Sequence, residues 1–175
     1  GGPALQDNWN FTYLEFDIRE TYDNKLVISH DPNLDRVINW ESAPKGYLDK
    51  LLKNADVLKR HGKTKLKKDE LLINKLYLSE LQSFKLKNGS EPMPLLEDYL
   101  SGAELFHLRK PIAAEIKQID SDLARQDFIN QMYAFNKRYF RNAKIKLEKG
   151  FDFKDLLAVM SFATYFDNSF GKPQS

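Results

Sequence analysis

Two apolar runs separated by a gap too short for a helix constrain this chain more than any other feature. Phe11 to Ile18 alternates aromatic and polar residues, and Lys25 to Ser29 is a second apolar, β-branched run, so both read as strands. Asp23 and Asn24 between them read as a turn. A two-residue hairpin at that point would set His30 directly across from Asp17, whereas a parallel pair would need an extended crossover. Either geometry leaves His30 near Asp17 and its neighbour Glu15. Glu15 and Asp17 are two residues apart, and on a strand that spacing sends both carboxylates to one face.

Beyond His30 the pattern becomes helical. Pro32, Asn33 and Asp35 mark a loop that carries Arg36. Leu48, Leu51, Leu52, Ala55 and Leu58 recur at helical spacing and predict one stripe closed by His61-Gly62. Leu71 to Phe84 predicts further helix broken near Tyr77, with Ser79 and Gln82 placed as a capping box. Asn88-Gly89-Ser90 is a turn, and Pro94 suits the first turn of a helix running to about Leu100. Ile112 to Lys117 predicts a buried strand that ends in a charged pair. Asp122 to Phe140 is the longest predicted helix, with Leu123, Phe128, Ile129, Met132, Phe135, Tyr139 and Phe140 on its core face. Ala143 to Leu147 alternates as a short strand would. Strands interleaved with helices indicate an α/β class.

Composition excludes several functions. With 27 basic and 25 acidic residues the formal net charge is only +2, so no global field points to nucleic acid. The basic run Lys59 to Lys68 reads as a solvated helix end and loop. The absence of cysteine removes disulfides and thiolate chemistry. No apolar run approaches the roughly 20 residues of a membrane span. A 42% hydrophobic content supports one core, and residues 1–175 read as a single domain. His61 and His107 stand apart from other chemistry-bearing residues and read as surface or structural.

The segment LEFDIRETYDNKLVISHDPNLDR, residues 14–36, resembles the signature of the glycerophosphodiester phosphodiesterase family. In that family a Glu-x-Asp strand, a short turn and an apolar strand lead into His-Asp-Pro. EPMPLLEDYL at 91–100 is similar to the family's Ile-Pro-Thr-Leu-Glu segment, with Leu95 where Thr is usual; AEIK at 114–117 resembles its Glu-x-Lys strand; VMSF at 159–162 is a weaker match. The resemblance implies a TIM-barrel-like α/β fold, incomplete in this chain, with residues 45–74 as a helical insertion serving as a lid or partner surface. It implies a divalent cation, Mg²⁺ or Ca²⁺, held by Glu15, Asp17 and Glu115, whose hard oxygen donors suit either ion. His30 would be the catalytic histidine and Lys117 the phosphate contact, with Arg36 a further substrate-binding candidate. The small-molecule substrate would be a glycerophosphodiester, cleaved to glycerol phosphate and an alcohol.

Two departures accompany these matches. The family's opening His-Arg-Gly strand, whose histidine completes the acid-base pair, has no counterpart before Glu15, and its last barrel strands have none before Ser175. Three explanations fit: a trimmed fragment, a barrel completed by a second chain or copy, or a degenerate member. The alternative function is therefore a noncatalytic binding module that keeps the pocket and uses its helical insertion to hold a partner.

Overall fold

The computed structural model describes residues 14–105 and 112–147, with side chains at 16–102, 114–135, 137 and 138. Its elements are β1 (Leu14–Glu20), β2 (Leu26–Ile28), β3 (Ile38–Asn39), α1 (Tyr47–Lys53), α2 (Ala55–His61), α3 (Leu78–Leu81), β4 (Lys85–Leu86), α4 (Leu96–Leu105), β5 (Ile112–Gln118) and α5 (Asp122–Leu147). Strand order is β2-β1-β5 in one sheet, and β3 and β4 form a separate antiparallel ribbon. The chain divides into two compact units, one of residues 19–95 and one of residues 1–18 with 96–175. The division falls within β1.

In the 19–95 unit, β1 and β2 are joined by a turn one residue longer than the sequence suggested. Thr21 N donates to Lys25 O at 2.9 Å, enclosing Tyr22, Asp23 and Asn24 as a three-residue loop. Asn24 takes φ 63°, a left-handed conformation that Asn tolerates better than most residues. Its amide donates to Glu20 Oε2 at 2.7 Å, which fixes it there. Because side chains alternate faces, a one-residue change in turn length shifts cross-strand partners. The pairing expected from a two-residue turn, with His30 opposite Asp17, therefore loses its basis.

The stripe expected to form one helix forms two. Asn54 leaves the helical region at ψ 126°, and its Oδ1 accepts from Asp56 N and Val57 N, capping α2. A short amide side chain that can bond its own backbone competes with helix continuation, so the buried residues change phase from Leu51 to Val57 and Ala55 is exposed. Gly62 ends α2 at φ 64°, as the His61-Gly62 pair indicated. Residues 71–84 contain one short 3-10 turn, Ile73–Lys75, and α3 rather than a longer helix. The cap of α3 lies two residues before Ser79: Glu80 Oε1 accepts from Tyr77 N at 2.7 Å. Leu51, Val57, Leu71 and Ile73 join Val27, Leu34, Ile38, Leu76, Leu81, Phe84 and Met93 in one core. The 45–74 segment thus supplies part of that core.

Arg60 is the most deeply buried member of the basic run. Its side chain is 4% exposed and donates to Glu80 Oε1 and Oε2 at 2.9 and 3.0 Å, to Lys75 O at 2.5 Å and to Asp56 Oδ2 at 3.0 Å. The guanidinium also lies over the Tyr77 ring at 4.2 Å and near the Tyr22 ring at 5.2 Å. The surrounding lysines 59, 63, 65, 67 and 68 are exposed, in keeping with a solvated run.

In the other unit, Phe16 and Ile18 of β1 and Ala114 and Ile116 of β5 are buried. Phe16 stacks at 4.5 Å on Tyr99 of α4. Phe128, Met132 and Phe135 of α5 are buried as expected, but Leu123 and Ile129 are exposed and Ala124 is buried instead. The apolar stripe is therefore narrower and rotated. Tyr139 and Phe140 lie outside the described side chains. Residues 143–147 continue α5 rather than forming a strand, since extending an established helix costs far less than starting a new element and Ala, Lys and Leu favour it. The start of the first predicted strand at 11–13, the segment 156–166, whose pattern fits strand or helix alike, His107 and VMSF at 159–162 lie outside the described residues.

Two outcomes follow for stability. Arg60→Met should destabilise the chain by about 3 kcal/mol, because it leaves the Glu80 carboxylate without its buried partner; denaturant unfolding at neutral pH checks this. His61 donates from Nδ1 to Val57 O at 2.8 Å and accepts at Nε2 from Leu72 N at 3.1 Å. Burial lowers its pKa below the ordinary 6.5. Below 6.5 the unfolded chain therefore binds more protons, so this contribution is present above 6.5 and is lost as pH falls through the folded value. Thermal midpoints should drop from pH 7.5 to 5.5 more in the wild type than in His61→Gln.

Candidate functional site

His30 closes the loop after β2, where Arg19 anchors its backbone. The Arg19 side chain is nearly buried and donates from Nε and Nη2 to His30 O at 3.1 and 2.7 Å. Ser29 Oγ donates to Asp31 O at 3.2 Å and tightens the same bend. The imidazole is exposed, and its Nδ1 lies 2.9 Å from Asp31 Oδ1. Arg36 donates to both oxygens of Asp31, from Nε to Oδ2 at 2.7 Å and from Nη2 to Oδ1 at 3.1 Å. Exposure falls from 69% at His30 and 73% at Arg36 to 15% at Asp31, so the carboxylate is the sheltered centre of the trio. The His30 bond, followed by the Arg36 bonds, lowers the Asp31 pKa. An ionised Asp31 only accepts, so a neutral His30 places its proton on Nδ1 and leaves Nε2 as the basic atom facing outward.

The other candidate side chains sit on β1 and β5. Phe16, Ile18, Ala114 and Ile116 bury the even positions, while Asp17, Glu115 and Lys117 at odd positions are only partly buried. Strand alternation is the cause. Lys117 Nζ donates to Glu115 Oε1 at 2.8 Å, so the i, i+2 pair inferred from Ala114 to Lys117 is formed. Glu15 lies in β1, with its side chain outside the described residues. Among the described residues no three His, Cys, Asp or Glu side chains gather into a metal centre. Asp17 and Glu115 nevertheless supply the carboxylate oxygens that a hard divalent cation requires.

Sequence reasoning passed over Asp31 and Arg19. Asp31 carried a signal, a carboxylate directly after a histidine, which could have been read as an orienting partner. Arg19 carried none, because its role is to hold a backbone carbonyl eleven residues away.

These features define an α/β protein with carboxylates and a lysine on adjacent sheet strands and an oriented, outward-facing histidine at a strand end. The chain belongs to the glycerophosphoryl diester phosphodiesterase family, whose match covers residues 10–163. Membership carries the TIM-barrel-like α/β fold class inferred from the sequence. A glycerophosphodiester phosphodiesterase of Parabacteroides distasonis aligns with 76% of this chain and 40% of its own, at 24% identity and TM-score 0.42. A structure from Silicibacter pomeroyi assigned as a glycerophosphoryl diester phosphodiesterase aligns with 74% of this chain and 44% of its own, at 16% identity and TM-score 0.45. The chain thus spans less than half the length of either solved chain. No curated protein matches it. No helix of the described residues is long and apolar enough to cross a membrane.

Replacing Asp31 with Asn removes the ionised acceptor. At pH 8, nitrogen-15 spectra of His30 should show mainly the Nδ1-protonated tautomer in the wild type and a substantial Nε2-protonated fraction in Asp31→Asn; unchanged spectra would show that Asp31 does not set the tautomer.

Proposed function

We propose that this chain carries the active-site half of a metal-dependent phosphodiesterase that hydrolyses glycerophosphodiesters to glycerol phosphate and an alcohol. The observation that most supports this reading is the oriented His30, with Nδ1 bonded to an ionised Asp31 and Nε2 left to exchange a proton. The family match supports the substrate class.

Glu15, Asp17 and Glu115 would hold Mg²⁺ or Ca²⁺, which when bound neutralises phosphate charge and polarises phosphorus. Lys117 would bind a phosphate oxygen, with its ammonium held toward the site by Glu115. In the hydrolysis, an oxygen nucleophile bonds to phosphorus as the bond to the alcohol oxygen breaks. His30 Nε2 gives a proton to that leaving oxygen or takes one from the attacking group. Asp31 steadies the ring and holds its Nδ1 side, so that Nε2 is the atom presented for proton exchange. Arg36, crossed with Asp31, fixes the carboxylate in turn.

The test is turnover of a simple glycerophosphodiester in the presence of Mg²⁺ or Ca²⁺. Chelation and Glu115→Gln should each abolish it, and His30→Ala should lower kcat by about 10²- to 10⁴-fold, the usual worth of a general acid or base. A folded chain without turnover under either ion would leave the noncatalytic module as the better reading.

A further inference from the structure

A cavity borders His30, and apart from His30 and Arg36 its lining residues take no part in the chemistry just described. It has a volume of about 260 Å³ and is lined by Ile28, Ser29, His30, Arg36, Val37, Leu86, Lys87, Asn88 and Met93. The β3–β4 ribbon sets its rim: Ile38 pairs with Leu86 and Asn39 with Lys85, and Lys87 N donates to Val37 O at 2.9 Å. Arg36 and Lys87 thus stand on adjoining chains of one ribbon. Leu86 N also donates to Glu91 O at 2.9 Å, which tightens the turn beyond Lys87.

Charge is distributed unevenly around this cavity. Its lining includes two cations, Arg36 and Lys87, and no carboxylate. Arg36 spends Nε and Nη2 on Asp31, which leaves Nη1. The Lys87 ammonium pairs with no carboxylate among the described residues. Ser29 and Asn88 add polar groups, and Ile28, Val37, Leu86 and Met93 form an apolar floor. No Phe, Tyr or Trp ring lines the space, and those rings are what recognition of a quaternary ammonium depends on. The volume lies below the roughly 300 Å³ at which drug-sized pockets begin, so the space suits a small charged group.

We propose that this cavity is a subsite for an anionic substituent, phosphate or carboxylate, on the alcohol portion of the diester, with Lys87 as its main contact and Arg36 as its second. The proposal rests on the reading of His30 as the proton-transfer group, and it names the alcohol class: acidic alcohols fit and choline-like cationic alcohols do not. Lys87 discriminates by charge: Arg36 is already paired with Asp31, whereas the Lys87 ammonium has no carboxylate partner among the described residues and would repel a cationic group.

Binding tests this separately from turnover. The full chain, with chelator present so that no cation contributes, is titrated with glycerol 3-phosphate, glycerate or choline while His30 and backbone resonances of residues 28–38 and 86–93 are followed by NMR. The phosphate and carboxylate probes identify which anion the subsite prefers, and choline is the cationic control. Glycerol 3-phosphate or glycerate should shift His30 and residues 86–88, and choline should not. Lys87→Gln should weaken the anion about tenfold, the effect of one charge-assisted contact, and Lys87→Arg should restore most of it. Lys117→Met should leave these shifts in place. Circular dichroism of Lys87→Gln confirms that the variant is folded. Equal shifts with choline, unchanged affinity in Lys87→Gln, or shifts that vanish in Lys117→Met would overturn the proposal. A chain that binds the anion here without turning over diesters would retain the subsite and refute the enzymatic reading alone.

Discussion

The 19–95 unit is organised around one buried ion pair. Arg60 bonds both oxygens of Glu80 while the same carboxylate caps α3 at Tyr77 N. Asp23 of the three-residue loop accepts from Leu78 N at 3.0 Å, and Tyr22 N donates to Leu76 O at 2.9 Å. The loop that ends β1 and begins β2 is therefore pinned to the start of α3, and α3 is pinned to α2. The position of β2, with His30 at its end, depends on that chain of contacts. Burying a guanidinium carries a large desolvation cost, met here by four acceptor oxygens on three residues and two aromatic faces.

Around His30 the same logic recurs on a smaller scale. Arg19 fixes the backbone, Asp31 fixes the ring, and Arg36 fixes Asp31. Each side chain is held by one of opposite charge or by a carbonyl, so the imidazole can be exposed and still oriented. Under the proposed function, exposure would let it meet a substrate, and the sheltered carboxylate would present it in a single tautomer. On β5, Glu115 and Lys117 show the same economy, an acid and a base two residues apart on one face.

Strand identity was legible because alternation at Phe16 to Ile18 and at Ala114 to Ile116 maps directly onto burial. The family signature was legible because its residues are contiguous, and proton-transfer and carboxylate groups recur in order. Turn length was not legible: Asp23-Asn24 fits a two-residue turn equally well, and the third residue is admitted by Asn24 reaching back to Glu20. The break at Asn54 was hidden because leucine spacing continues smoothly across it, while the cap depends on one side-chain oxygen. Arg60 was hidden inside a charge run, where composition averages a buried residue with five solvated lysines. Arg19 was hidden because no local pattern marks a guanidinium that serves a distant carbonyl.

The shared carboxylate of Glu80 also bears on how such a sequence can change over time. Losing Arg60 alone strands an acid, and losing Glu80 alone strands a base and uncaps a helix, so each single step is costly. Replacing both with apolar residues of similar volume can be nearly neutral. Drift at these two positions is therefore expected to proceed in pairs, with Tyr77 and Tyr22 free to change only after the cation between them has gone. In related sequences that should appear as covariation among four positions scattered from 22 to 80, a signal that no single position would show.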